Sequence, residues 1–67
     1  MDKPKSIQVA NLKIQLALLQ KEEGRLHDII RFSDKPDYVQ SAHVDLARCL
    51  ENIRKTAQEI NQLESSL

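Results

Sequence analysis

His27, His43 and Cys49 are the only soft metal-ligand types in the chain, and their spacing decides what they can hold. A structural zinc site takes about four clustered ligands, commonly in CxxC or HxxxH pairs, and neither spacing occurs here. Metal binding is therefore not expected; two solvated histidines and a small buried thiol are the simpler reading. Glu22, Glu23, Asp28, Asp45, Glu51, Glu59 and Glu64 supply carboxylates, but they fall mostly at solvated helix positions. General acid–base work needs a dry concavity that shifts a pKa. The single glycine excludes a glycine-rich phosphate loop, and no Ser, His and acid triplet has a scaffold to form a pocket. Neither enzymatic activity nor a cofactor is expected.

The elements that must position these residues are two long helices. Val9, Leu12, Leu16, Leu19, Leu26 and Ile30 step by three and four, with Glu23 interrupting the series, and so lie on one helical face. This predicts a helix over 6–32, with Ser6 as its N-cap. Gly24 costs about 1 kcal/mol against Ala in a helix interior, and a local bend or a close helix approach is expected there. Ser33-Asp34-Lys35-Pro36-Asp37 predicts a turn over 33–36: cap-forming side chains, then a proline whose fixed φ suits a first turn, then an acidic residue. Val39, Ala42, Leu46, Cys49, Ile53, Thr56, Ile60, Leu63 and Leu67 resume the same stepping, with Leu50 and Ala57 widening the stripe. This predicts a second helix over 37–65. So short a turn forces the helices antiparallel, pairing Ile30 with Val39, Leu26 with Ala42, Leu16 with Ile53 and Val9 with Ile60. The expected fold class is all-α: one domain, an antiparallel two-helix hairpin, coiled-coil-like, assembling into a dimeric four-helix bundle.

Apolar residues in excess of one seam motivate that assembly. Ordering 67 residues costs on the order of 100 kcal/mol, and two helices leaning on each other cover only one stripe apiece. Ile7, Ala10, Ile14, Ala17 and Leu18 lie off the first seam and are expected to form a self-association face. The competing reading takes Ala10 and Ala17 as ordinary helix formers and Ile14 as a tolerated exposed residue. At the turn, Arg31, Phe32 and Tyr38 offer a recognition tip, since Tyr and Arg are favoured at hot spots. The expectation preferred on the sequence is that Phe32 and Tyr38 cap the seam under the turn.

Charge points away from nucleic acid and membrane. Lys and Arg total 10, as do Asp and Glu, so no global field draws the chain to polyanions. Arg25, Arg48, Arg54 and Lys55 are the contacts that a small dimeric nucleic-acid-binding regulator would use. They are diluted by acidic neighbours and lack interleaved aromatics. No apolar run approaches the ~20 residues of a membrane span, and the mixed charge does not suit an interfacial helix. One cysteine excludes an intrachain disulfide. Met1-Asp2-Lys3-Pro4-Lys5 resembles a charged signal-peptide start, but the stretch after it is polar and lacks a cleavage site. A cytoplasmic location is expected.

In length, whole-chain pattern and the polar turn Ser33-Asp34-Lys35-Pro36-Asp37, the chain resembles the small orphan helical-hairpin proteins of temperate bacteriophage early regions. That resemblance implies a modifier of host or phage regulation acting through protein contact in the host cytoplasm. The same pattern suits a cellular coiled-coil adaptor. The combined expectation is a homo-oligomeric, non-enzymatic interaction module with a further protein partner.

Overall fold

The computed structural model describes residues 4–66. Two helices, α1 (Lys5–Phe32) and α2 (Pro36–Ser65), pack against each other along their length. The fold is all-α, an antiparallel hairpin 50 × 18 × 14 Å in extent. Its radius of gyration is 15.3 Å, against about 11 Å for a globular chain of this size, so the molecule is a rod. No described helix is long and apolar enough to cross a membrane.

The ends of the helices show how the turn is made. Pro4, not Ser6, occupies the N-cap of α1, and the Ile7 and Gln8 amides donate to its carbonyl at 3.0 and 3.2 Å. Ser6 lies inside the first turn and makes no cap hydrogen bond. The proline sits where its missing N–H costs nothing, since the first amides of a helix have no intrahelical acceptor. At the other end, Ser33 turns extended while its amide still donates to the Ile29 carbonyl at 2.9 Å. Its hydroxyl then accepts the Lys35 amide at 3.2 Å, the local serine bond that favours turns. Lys35 is extended, as a residue before proline prefers. Pro36 opens α2 with Asp37 in its first turn, where a carboxylate meets the positive end of the helix dipole. No described residue has positive φ, which is why this turn needs no glycine.

The seam follows the three-and-four stepping. Leu26, Ala42 and Cys49 are buried together, with Leu19, Ile29, Ile30, Leu46 and Ile53 packed around them. Val9 and Ile60 are buried toward the open end, with Thr56 the one buried polar side chain among the described residues. Leu67, read as the last seam position, and Met1, Asp2 and Lys3 lie outside the described residues. Polar contacts tie the open end. Lys13 Nζ lies 3.2 Å from Glu64 Oε2, and Lys5 Nζ donates to Ser66 Oγ at 3.0 Å. Both are exposed and contribute little.

Gly24 is not a point of close approach. α1 runs through it unbroken, and a Cβ built there would meet nothing within 4 Å. The glycine therefore leaves only its entropic cost. Gly24→Ala is expected to raise stability by about 0.5–1 kcal/mol. Leu26→Ala, at the most deeply buried side chain, is expected to lower it by about 2–4 kcal/mol, enough to unfold much of so small a protein. Urea titrations followed by circular dichroism check both: the midpoint should move up for the first and down for the second.

Candidate interaction surface

The inner face of α1 is spent on the seam, and its outer face is apolar as well. Residues two apart on a helix differ by about 200° in direction. Ile7 and Val9, Ile14 and Leu16, and Leu18 and Leu16 are such pairs, so one member of each points into the seam and the other away from it. Ile7, Ile14 and Leu18 are 49%, 61% and 63% exposed, and Ala10 and Ala17 are exposed beside them. All five fall on one stripe diametrically opposite α2, confined to the half of α1 away from the turn. Beyond Leu18 the stripe passes to Lys21, Gly24, Asp28 and Arg31, all exposed and mostly charged.

α2 is organised differently. Its seam residues are interleaved with polar ones, and its exposed aliphatics, Val44 and Leu50, do not continue one another. Leu50, read as a widening of the seam, is largely exposed, whereas Ala57 is half-buried. Val44 was not singled out by the spacing argument, although it stands two residues from the buried Ala42 and so points away from the seam.

The turn corrects one expectation. Phe32 and Tyr38 do not cap the seam; they are 74% and 59% exposed. The Arg31 guanidinium carbon lies 5.9 Å from the Phe32 ring centre and Lys35 Nζ 5.1 Å from that of Tyr38, distances at which a cation is attracted to a ring face. Ile30, by contrast, packs against the seam cluster, and Ser33 is half-buried. The tip therefore presents both aromatics, with Arg31, to solvent.

The basic residues do not gather into one cationic surface. Arg25 makes a two-pronged pair with Glu22, its Nε donating at 3.0 Å with a second contact through Nη2. Arg54 holds Glu51 likewise, at 3.1 and 2.7 Å, and Lys55 adds a longer contact to the same carboxylate at 4.0 Å. Hydrogen bonding from the guanidinium holds Glu22 and Glu51 below the usual carboxylate range and raises Arg25 and Arg54. Arg48 has no ion-pair carboxylate among the described residues. Of the four candidate nucleic-acid contacts, Arg25 and Arg54 thus each hold a carboxylate of their own, and Lys55 shares that of Arg54.

His27 Nε2 lies 3.8 Å from Glu23 Oε2, one turn away on the same helix. No group of three or more His, Cys, Asp or Glu placed to hold a metal occurs among the described residues. Cys49 is buried, and its Sγ–H donates to the Leu19 carbonyl at 3.2 Å across the seam. Burial pushes its thiol up, aided by the charges of Glu23 and Glu22. The depressions on the hairpin are shallow; one near the turn is lined by Arg25, Ile29, Ser33, Tyr38 and Asp45 among others, and one lies on α2 alone, over Ala47, Arg48, Glu51 and Asn52.

No protein-family model matches the chain, and no curated protein or solved structure matches it. Its function is therefore argued from its surface.

The environment of Cys49 has a chemical consequence. The thiolate is the reactive form, and both burial and the raised pKa suppress it. A disulfide-exchange reagent at pH 8 is expected to label Cys49 at least ~100-fold more slowly in the folded protein than in urea, through opening of the hairpin. Labelling at equal rates in the two states would place the thiol at the surface.

Proposed function

We propose that this chain is a non-enzymatic protein–protein interaction module. It self-associates through the outer face of α1 into a dimer of four helices. It offers its remaining surface, including the aromatic turn, to a host or cellular protein whose regulation it modulates. The supporting observation is the exposure of Ile7, Ile14 and Leu18 on one stripe. Scattered exposed aliphatics are normal on any surface; three large ones in helical register, with alanines between them, are the pattern of an interface.

The accessible surface supports the same reading. It is 5287 Å², whereas a globular monomer of 7.7 kDa exposes about 4,300 Å². A rod of two helices carries an excess of about 1,000 Å², and a second copy laid on the apolar stripe removes part of it.

Sedimentation equilibrium from low micromolar to millimolar protein tests the proposal. A reversible monomer–dimer equilibrium is expected; a monomer throughout would overturn self-association. Three substitutions separate the two faces of α1. Leu16→Asp and Ile53→Asp each place an unpaired charge in the seam, at a cost of several kcal/mol, and should abolish the helical circular dichroism signal. Ile14→Asp should keep that signal and lose the dimer. Loss of helicity in all three would contradict the division of α1 into an inner and an outer face.

A further inference from the structure

The direction of the stripe restricts how two copies can meet. In a square four-helix bundle each hairpin lays one flank, made from both helices, against its partner. Neither flank here suits that role. One carries Gln15, Asn52 and Glu59 around a shallow depression over Leu12 and Thr56, and toward the turn a second depression over Ile29 and Ala42 is rimmed by Arg25, Ser41 and Asp45. On the other lie the Lys13–Glu64 pair, exposed His27 and His43, and a single exposed leucine, Leu50. The contiguous apolar surface is instead opposite the seam, where only α1 reaches it.

The order of residues in the stripe fixes a direction as well. Ile7 and Ile14 are seven apart, as are Ala10 and Ala17, and each alanine follows an isoleucine by three. This is a second heptad ladder, with isoleucine at one core position and alanine at the other. Two parallel copies would stack like on like, giving Ile–Ile layers alternating with Ala–Ala layers of unequal width. Crowding at one and a void at the next are both unfavourable. Antiparallel copies put each isoleucine on an alanine, so four layers of equal width form, and the small residues let the helix axes approach to about 8 Å.

Charge gives an independent reason for the same choice. The stripe continues into Lys21, then Asp28 and Arg31. A parallel alignment sets each of these against its own copy, like charge on like. In the antiparallel alignment, Lys21 and all that follows pass beyond the first turn of the partner's α1.

We infer that the dimer is a flat stack of helices in the order α2, α1, α1, α2. The two α1 helices run antiparallel and overlap only through Ile7–Leu18. Ile7 faces the partner's Ala17, Ala10 faces the partner's Ile14, and Leu18 closes the edge. This inference rests on the self-association proposed above and names its geometry. From Ile7 to Ala17 the overlap is only about 15 Å long, so the contact falls short of the ~1,200 Å² at which stable interfaces begin. Dissociation in the micromolar range or weaker follows.

Disulfide trapping in a Cys49→Ala background reads the geometry. Ile7→Cys protein is mixed with a size-tagged Ala17→Cys protein and oxidised, and Ala10→Cys is mixed with tagged Ile14→Cys in the same way. The antiparallel stack predicts that mixed dimers exceed either homodimer at least tenfold in the Ile7/Ala17 mixture and are the larger product in the Ala10/Ile14 mixture. Two copies of Ile7→Cys would be offset by about 15 Å along the helix axes, beyond the ~7 Å a disulfide bridges; two copies of Ile14→Cys would be offset by only about 6 Å, so that mixture discriminates less sharply. Predominance of Ile7→Cys and Ile14→Cys homodimers would establish parallel pairing and overturn the inference. So would a dimer seen by sedimentation that none of the four cysteines traps. In both cases self-association stands. A monomer by sedimentation removes the inference and the proposed function together. Circular dichroism of each single variant verifies folding first; all four positions are exposed.

Discussion

Every buried side chain among the described residues lies in the single seam between α1 and α2, and that geometric limit governs the rest of the molecule. A helix presents one stripe to one neighbour, so two helices own one shared core and four unshared faces. Leu26, Ala42 and Cys49 form its densest part, under the turn-proximal half. The seam becomes more polar toward the open end, where Thr56 is buried and exposed contacts from Lys5 and Lys13 close the rod. The outer apolar stripe of α1 lies over that same half. The weaker part of the hairpin is thus the part where a second copy would add burial.

The two helices divide the work. α2 is more nearly amphipathic, with most of its apolar residues in the seam, Val44 and Leu50 exposed singly, and charged residues such as Glu51, Arg54 and Lys55 bound to one another on the outside. α1 bears apolar residues on opposite faces through its first half and becomes one-sided only after Lys21. A helix apolar on two sides is buried on two sides or stays an exposed liability. Arg25 and Arg54 are each paired locally with Glu22 and Glu51.

Most of the hairpin was legible because helical phase is legible. The three-and-four steps located both helices and the seam, and Pro36 with Asp37 located the turn. The outer stripe could be found the same way, since a residue two positions from a seam leucine must point away from it. Phase also argued against a capping role for Phe32, which stands fourteen residues from Leu18 and seven from Arg25 on the same outer side; Tyr38, one turn before buried Ala42, shares the phase of the seam and is exposed all the same. Proximity to the turn obscured that signal. Ser6 and Gly24 were misjudged for a different reason. The helix began one residue before Ser6, with Pro4 at its N-cap and no side-chain cap. The open space around Gly24 follows from its phase, seven residues after Ala17 on the outer side of α1, a position that its neighbour Glu23 in the seam series obscured.

The claim that α1 has two working faces, one for its own hairpin and one for a second copy, couples folding to concentration. If the dimer forms only from folded hairpins, mass action stabilises it as protein is added. The most direct measurement is the urea midpoint over a hundredfold range of protein concentration, for the natural chain and for Ile14→Asp. The account predicts a midpoint that rises with concentration for the natural chain and stays fixed for the variant. A midpoint independent of concentration in both would contradict it.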